Sequence, residues 1–278
     1  MLIIFRPKWF KIKTMIKMNK IVVVALALSL LNCKQEPKND VVVVTDYITE
    51  NLEITTSVYP ENITNIFKAH GTLEAWNTNK TLAFTMKKEK GDELTITDLK
   101  NRRSYIETKD FELGYNGKDV WLNEKGDFKY KGKPQFYYNL MFYFYAMPFV
   151  LADDGITYDN VDALEFEGKA YPGIKISYGA NVGESPEDEY ILYYDAETNK
   201  MAWLGYTVTY FTKAKSKDWH FIRYTDWQDI DGLLVPKTLS WFNTEGFKIG
   251  DKRNDLEFTD IKLSKESEAD AKFEKPAM

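Results

Sequence analysis

Acidic residues in the last quarter of the chain have a spacing that could ligate calcium. Asp226, Asp229 and Asp231, followed by Gly232, match the first part of a calcium-binding loop. The twelfth position counted from Asp226 is Lys237, where such a loop needs a glutamate that coordinates through both oxygens. We therefore predict a strand end and its turn here, and no calcium site.

The other residue types that serve hydrolases and metalloenzymes are few and far apart. His70 and His220 are the only histidines and Cys33 is the only cysteine, so no spacing typical of a zinc site occurs. Ser185 lies in Gly-Glu-Ser-Pro, which lacks the glycine pattern of a nucleophile elbow. Adjacent carboxylates such as Asp153-Asp154 are typical of solvated turns, and only carboxylates brought together from distant strands would support hydrolysis. We predict no catalytic residue, no metal and no cofactor.

Cys33 follows a stretch that has the form of a secretory signal. Met18-Asn19-Lys20 is a basic segment, and residues 21–31 form a short apolar run. Met1 and Met15 are alternative starts that would only lengthen the basic segment. We expect translation to begin at Met18 and residues 1–32 to be a signal peptide that takes no part in the fold.

The residues Leu30-Leu31-Asn32-Cys33 resemble the lipobox of bacterial lipoproteins, whose cysteine is acylated and becomes the new N-terminus. The chain departs from that motif at Asn32, where Gly, Ala or Ser is usual. The resemblance implies a lipid on Cys33 that tethers the protein to a membrane of the cell envelope, with the outer membrane expected. Residues 33–59 would then be the lipidated cysteine and a largely polar tether. The alternative is an ordinary signal peptide or uncleaved anchor with an incidental cysteine.

The charge balance argues against polyanionic partners. The chain has 37 Lys and Arg against 42 Asp and Glu, a formal net charge of −5. Residues 1–32 carry six basic residues and no acidic one, so their removal lowers the net charge to −11. A body this acidic repels phosphate backbones, and we therefore expect no nucleic acid partner and no general electrostatic adhesion to anionic lipid.

An uncharged run over residues 136–151 carries eight aromatic side chains. It is short for a membrane-spanning helix and long for a single strand. The pattern favours a helix over about 135–147 that is apolar on every side, followed after Pro148 by a short second helix over 149–152. A helix that is apolar all round must be buried all round. Two interpretations stay open, a simple core helix and a lid over an apolar cavity.

The residues before this run predict one helix and then strands. Apolar residues at helical spacing predict an amphipathic helix over 61–76, interrupted by Gly71, for which we expect a packing reason. His70 lies on its apolar face, where a hydrogen-bonded core histidine is more common than a ligand. From residue 80 the apolar period changes to two, as in strands. Residues 111–122 predict a hairpin with a type I′ turn at Asn116-Gly117.

Strands resume after the aromatic run and continue towards the C-terminus. No repeat and no second domain boundary is visible, and so many consecutive strands imply a sheet large enough to curl. We predict a mainly β (α+β) domain over residues 60–278. It is a single curled antiparallel sheet forming an open half-barrel, with an N-terminal helix and an apolar aromatic lid or plug helix. The later strands are predicted at 163–167, 174–178, 190–194, 201–211, 219–228, 233–243 and 255–263.

Four short motifs occur at intervals along the predicted domain: Asn-Gly-Lys-Asp-Val-Trp (116–121), Ala-Met-Pro-Phe-Val-Leu-Ala-Asp (146–153), Asp-Glu-Tyr-Ile-Leu-Tyr (188–193) and Gly-Leu-Leu-Val-Pro-Lys (232–237). Together they resemble a family of uncharacterised bacterial secreted lipoproteins, over residues 63–273. That family is similar, at the level of the fold, to the outer-membrane lipoprotein carriers of the LolA/LolB-like half-barrel superfamily. Those proteins use an eleven-stranded open half-barrel with a helical lid over a cavity for acyl chains. The resemblance implies the same fold here, and it carries lipid binding only by analogy.

These observations favour a non-enzymatic, membrane-tethered lipoprotein that binds an apolar ligand, a lipid or an acyl chain. The alternative is an envelope sensor or interaction module that has a self-filled core and a protein partner. A hydrolase of envelope polymers is a third class, without a supporting motif. The residues predicted to line the ligand cavity are Phe142, Tyr143, Phe144, Met147 and Phe149, with Trp121, Trp203 and Trp241 as walls.

Overall fold

The computed structural model describes residues 58–178 and 187–277, which belong to one compact unit. The predicted signal peptide, Cys33 and the tether up to residue 57 lie outside the described residues. A 3₁₀ turn, Asp270–Lys272, follows the last strand. None of the helices within the described ranges is long and apolar enough to cross a membrane.

Twelve antiparallel strands form one sheet, which is not closed, and the predicted mainly β open half-barrel is confirmed. The strands are β1 (Thr81–Lys87), β2 (Glu93–Asp98), β3 (Ser104–Glu107), β4 (Phe111–Tyr115), β5 (Val120–Glu124), β6 (Ile156–Phe166), β7 (Lys169–Tyr178), β8 (Tyr190–Tyr194), β9 (Met201–Tyr206), β10 (His220–Ile230), β11 (Leu233–Glu245) and β12 (Lys248–Ser264). Their order across the sheet is β5-β4-β3-β2-β1-β12-β11-β10-β9-β8-β7-β6.

This order consists of two meanders that are joined by the last strand. From β12, strands β1 to β5 lie side by side in increasing order towards one edge of the sheet. Strands β11 to β6 lie side by side in decreasing order towards the other edge. Strand β12 pairs with β11 through its first half and with β1 through its second half. The two free edges are therefore β5 and β6, and the chain between them must cross the open side of the half-barrel.

The hairpin β4–β5 is confirmed, but its predicted turn type is wrong. Tyr115 pairs with Val120, which leaves a loop of four residues rather than two. Gly117 has a positive φ of 98°, whereas Asn116 does not, and a type I′ turn needs both. The side chain of Asn116 instead accepts two backbone N–H groups of the loop, at 3.0 and 2.9 Å. This local hydrogen bonding stabilises the longer turn.

The N-terminal helix is divided into α1 (Glu61–Ala69) and α2 (Leu73–Asn77). The break lies at Gly71, which has a φ of 101°. A Cβ atom built there would lie 2.0 Å from the carbonyl oxygen of Gly232, in the turn between β10 and β11. The packing reason expected for this glycine is thus a close approach of two backbones, which ends α1 early.

The aromatic run also breaks, so the predicted continuous helix over 135–147 is wrong. It forms α3 (Pro134–Tyr137), α4 (Leu140–Tyr145) and a 3₁₀ turn, Phe149–Ala152. Asn139, with φ −123° and ψ 1°, separates α3 from α4. Its side-chain amide donates to the carbonyl of Arg102 at 3.2 Å, and such bonding by asparagine competes with helix continuation.

Candidate functional site

The inner face of the sheet is defined here as the face that packs against residues 134–152, which we call the plug. Alternate residues of the central strands point to it, such as Leu82, Phe84 and Met86 of β1, all completely buried. The plug follows the edge strand β5 and precedes the edge strand β6. It therefore runs across the open side and covers the inner face, as a lid must.

No backbone–backbone hydrogen bond holds the plug to the strands that the structure describes. Within the described ranges, every backbone hydrogen bond of the plug beyond those inside its helices stays local, as from Tyr143 N–H to the Asn139 carbonyl or from Leu151 N–H to the Pro148 carbonyl. None joins the plug to a strand of the sheet. Moving the plug would consequently leave the hydrogen-bond ladder of the sheet intact.

Polar side chains fix the plug at defined points. The buried hydroxyl of Tyr224 on β10 donates to the carbonyl of Phe144 at 2.8 Å. Near the end of the plug, the Tyr158 hydroxyl donates to the Leu151 carbonyl. Asp153 directly follows the plug, and its carboxylate lies 2.5 Å from the guanidinium of Arg102. Burial raises the pKa of the Asp153 carboxyl, and the positive charge of Arg102 opposes that shift.

The five plug residues predicted to line a cavity lie together in the main apolar cluster. Phe142, Tyr143, Phe144, Met147 and Phe149 are 1–7% exposed. Their rings make close contacts with the surrounding elements: Phe149 stacks on Trp76 of α2 with centroids 4.6 Å apart, and Phe144 lies 5.1 Å from the ring of Tyr206. In this structure the plug itself fills the space that a ligand would need.

The three tryptophans predicted as cavity walls do not share one face of the sheet. Trp241 on β11 lies on the inner face, in the same cluster as the plug, with its ring 6.3 Å from that of Phe144. Trp121 and Trp203 point to the opposite, outer face and belong to two other clusters. Because side chains alternate along a strand, a tryptophan one position away from the inward register faces outwards.

The two outward tryptophans are each covered by other parts of the chain. The indole N–H of Trp121 donates to the carbonyl of Phe273, beyond the last strand, at 2.7 Å. Trp203 is completely buried by Phe166 and Phe242, whose rings lie 4.7 and 5.0 Å away. Both side chains therefore stabilise the outer face rather than contact the plug.

Several buried polar atoms of the inner face and plug have no hydrogen-bond partner among the described residues. Thr97 on β2 and Ser104 on β3 are directly paired, and both hydroxyls are buried without a partner. The hydroxyls of Thr95 and Tyr145 are also buried without a described hydrogen-bond partner. These two residues are near each other, because the Tyr145 ring stacks at 4.4 Å on Phe84, and Phe84 pairs with Thr95. An unpaired buried polar group costs about 1–3 kcal/mol, so this part of the plug interface is held less strongly than the purely apolar part.

His70 is a core residue, as expected. It is completely buried, its Nδ1 lies 2.9 Å from the Ile66 carbonyl oxygen, and its ring packs edge-on against Trp227 with centroids 4.4 Å apart. Burial lowers the pKa of His70 to about 4. The side chain is therefore neutral at physiological pH and contributes to packing.

The acidic residues that resemble a calcium loop form a hairpin turn. The carboxylate of Asp229 accepts the N–H of Gly232 at 2.8 Å, between β10 and β11, as predicted. Within residues 58–178 and 187–277, no three His, Cys, Asp or Glu side chains are grouped so that they could hold a metal ion.

A cavity of about 550 Å³ adjoins the start of the plug. It lies between the turns β1–β2 and β3–β4 and the segment that follows β5, and five lysines line it: Lys88, Lys90, Lys109, Lys129 and Lys131. Tyr137, the last residue of α3, also lines it. Sequence reasoning missed this site because its lysines are dispersed over three loops and meet only in the folded sheet.

Comparison with known proteins shows likeness at the level of the fold. No family model matches the sequence, and no curated protein matches it. The chain is similar to the crystal structure of a DUF1329 family protein from Desulfovibrio piger, with 9% identity, a TM-score of 0.43 and coverage of 77% of this chain and 98% of that chain.

Two further solved structures are similar to the chain. One is a LolA superfamily protein from Nitrosomonas europaea (7% identity, TM-score 0.39, 79% of this chain and 99% of that chain). The other is described as a putative outer membrane lipoprotein-sorting protein domain from Vibrio parahaemolyticus (9% identity, TM-score 0.34, 68% and 89%). These structures include the superfamily that the sequence resembles at fold level. At such identities the likeness concerns the fold alone and carries no argument about a ligand.

Proposed function

We propose that this protein is a non-enzymatic, lipid-anchored protein of the cell envelope whose half-barrel binds a lipid or acyl chain in exchange for its own plug. The observation that carries the proposal is an apolar plug that crosses the open side of the sheet and, among the described residues, forms no backbone–backbone hydrogen bond with a strand. A segment held in this way can leave the inner face without breaking a strand pair.

Exchange is the form of binding that the packing supports. The plug residues on the inner face are buried and closely packed, so an acyl chain cannot simply be added beside them. An acyl chain that replaces the plug restores much of the buried apolar area, at about 25 cal/mol per Å². The hydroxyls of Thr95, Thr97 and Ser104, which have no hydrogen-bond partner among residues 58–178 and 187–277, lower the cost of moving the plug away.

The proposed anchor is the lipid on Cys33, which would hold the half-barrel close to a membrane surface, with the outer membrane as the expected one. A lipid anchor tethers a protein without a membrane-spanning helix. The proposed domain organisation is a signal peptide over 1–32, a tether over 33–59 and the half-barrel from residue 60.

A second function is favoured by the close packing of the plug. If the plug never leaves, the protein has a self-filled core, and its partner is a protein of the envelope. The buried ring stacks of the plug on Trp76 and Phe84 support this alternative. The two functions differ in one measurable property, the uptake of an apolar ligand.

Native mass spectrometry of the chain carrying Cys33→Ser, which cannot be acylated at that position, separates the two. After delipidation the protein is offered fatty acids and phospholipids. We expect one bound acyl ligand per chain. A protein that stays free of ligand under these conditions refutes the proposed function and leaves the protein-partner alternative.

A matched pair of tryptophan variants locates the bound ligand. Trp241→Leu alters the inner face, and Trp203→Leu alters the outer face of a nearby strand. We expect both to reduce stability and only Trp241→Leu to reduce ligand uptake beyond that loss. Equal uptake by the two variants would contradict a site on the inner face.

A further inference from the structure

The cavity beside the plug, called here the lysine cavity, has an excess of positive charge. Of its five lysines, Lys88 pairs with Glu93 at 2.7 Å and Lys129 pairs with Glu124 at 3.0 Å. The other three, at positions 90, 109 and 131, form no ion pair or side-chain hydrogen bond within the described parts of the chain. Glu93 and Asp110 are the acidic residues of the lining, so positive charge dominates there although the whole chain is acidic.

One wall of the lysine cavity is aromatic. The ring of Phe111 lies 5.9 Å from that of Phe128 and 4.9 Å from that of Tyr130, and all three residues line the cavity. Side chains of this kind contact hydrocarbon, whereas ammonium groups bind phosphate or carboxylate. The cavity therefore has an apolar wall that can contact hydrocarbon and, beside it, positive charges that can bind an anionic group. An anionic amphiphile carries both of these parts.

The lysine cavity is connected to the plug through a partly buried hydrogen-bond network. The Tyr137 hydroxyl donates to Glu93 at 2.7 Å, and Lys88 donates to that hydroxyl at 2.6 Å. Glu93 is only 3% exposed, and Tyr137 ends the first helix of the plug. A group bound beside Lys88 is thus in contact with the segment that has to move when an apolar ligand enters the half-barrel.

We propose that the lysine cavity binds the anionic group of an amphiphile, a phosphate or a carboxylate, while its apolar part contacts the aromatic wall and continues towards the inner face. The proposal rests on the proposed function for the apolar part, and it adds the class of ligand: an anionic lipid rather than a neutral one. A negative charge at Lys88 also competes with Glu93, which weakens the attachment of Tyr137 and so favours release of the plug.

The test uses the chain carrying Cys33→Ser and three probes: dihexanoyl phosphatidic acid, dihexanoyl phosphatidylcholine and inorganic phosphate. The variant is Lys90→Gln with Lys109→Gln and Lys131→Gln. Because these lysines have no ion-pair partner in the part of the chain that the structure describes, their replacement should leave the fold intact. We expect the phosphatidic acid to bind more tightly than the phosphatidylcholine, and the triple variant to lose about tenfold in affinity for the former, at roughly 0.5 kcal/mol for each exposed charge.

A second triple variant controls for net charge. Lys68→Gln, Lys262→Gln and Lys275→Gln remove the same number of exposed lysines, none of which forms an ion pair within the described residues or lines the cavity. We expect this control to bind phosphatidic acid as the parent does. Equal losses in the two triple variants would mean a general charge effect and would overturn the proposal.

The three probes separate this proposal from the proposed function. Equal binding of both lipids, unaffected by either triple variant, refutes the lysine cavity as an anion site and leaves apolar binding in place. Binding of inorganic phosphate as tightly as phosphatidic acid, with the same lysine dependence, identifies free phosphate as the ligand and overturns the amphiphile. Lysine-dependent binding of phosphatidic acid well above that of phosphate supports the proposal.

Discussion

Removal of one hydroxyl group should loosen the plug without disturbing the sheet. The Tyr224 hydroxyl donates to the carbonyl of Phe144 in α4, and that carbonyl has no other described partner. The backbone group that would normally bond to it belongs to Pro148, four residues on, which has no N–H. Tyr224→Phe therefore leaves a buried carbonyl unpaired, at a cost of about 2 kcal/mol. The open population of the plug should rise about 30-fold.

Native-state hydrogen exchange measures this population directly. The amides of Tyr143, Ala146 and Leu151 bond within the plug and should exchange through its opening. We expect their exchange to accelerate about 30-fold in Tyr224→Phe. A parallel urea titration gives the change in global stability, against which the local change is judged.

The control is Tyr105→Phe, which removes a partly buried hydroxyl bond on the outer face, where Tyr105 donates to Glu112 at 2.9 Å. That bond stays intact when only the plug opens, so this variant should lower global stability and leave exchange of the plug amides unchanged. If Tyr105→Phe accelerates the plug amides by the full amount of its global loss, the plug opens only when the whole domain unfolds. Ligand exchange by movement of the plug would then be refuted.

Three further predictions concern stability, measured by urea unfolding. Gly71→Ala should lower the free energy of unfolding by about 3 kcal/mol or more, because it adds a backbone clash to an unfavourable φ. The control Gly246→Ala, with φ 58° and open space around it, should cost only about 1 kcal/mol. Equal costs would contradict the close approach of the backbones at Gly71. Burial lowers the pKa of His70 to about 4, from about 6.5 in the unfolded chain. The free energy of unfolding should therefore carry no penalty from His70 above pH 6.5 and should fall by about 3 kcal/mol as the pH is lowered towards 4, because the unfolded chain binds the proton more tightly. If the stability of a His70→Gln variant depends on pH in the same way as that of the parent protein, His70 is not the source of the pH dependence. Trp121→Phe should cost about 1–2 kcal/mol through its lost bond to Phe273, and it should cost less in a chain that ends at residue 269, where that bond is already absent.

The general architecture could be predicted because the apolar periods are long and regular. Alternation in β1, β10 and β11 identified their strands, and the uncharged run identified a buried segment. Strand β3 was missed because it has four residues and one of its two inward side chains is Ser104, which is polar but buried. Strand β12 begins at Lys248 rather than 255, because its first half is exposed and charged and carries no apolar pattern.

The candidate site could be predicted only in part, since it depends on contacts between distant residues. The plug residues and Trp241 were found because a run of aromatic side chains must be buried together. The faces of Trp121 and Trp203 depend on strand register, which changes with a shift of one residue. The lysine cavity depends on three loops that only the sheet brings together.

The position of β12 between the two meanders has a consequence for the way in which the chain acquires its fold. Strands β1 to β5 and β6 to β11 can each pair locally, but the two sets are joined only when residues 248–264 insert between β1 and β11. The pairing of β11 with β12 is local, whereas the pairing of β1 with β12, which places Thr81 opposite Ser264, has the largest sequence separation of the strand pairs, and such long-range pairing slows folding. A chain emerging from the ribosome therefore cannot complete its sheet until residue 264 has been synthesised. The proposed signal peptide implies export through a translocation channel, and a delay of this kind would favour export because it keeps the polypeptide loosely folded.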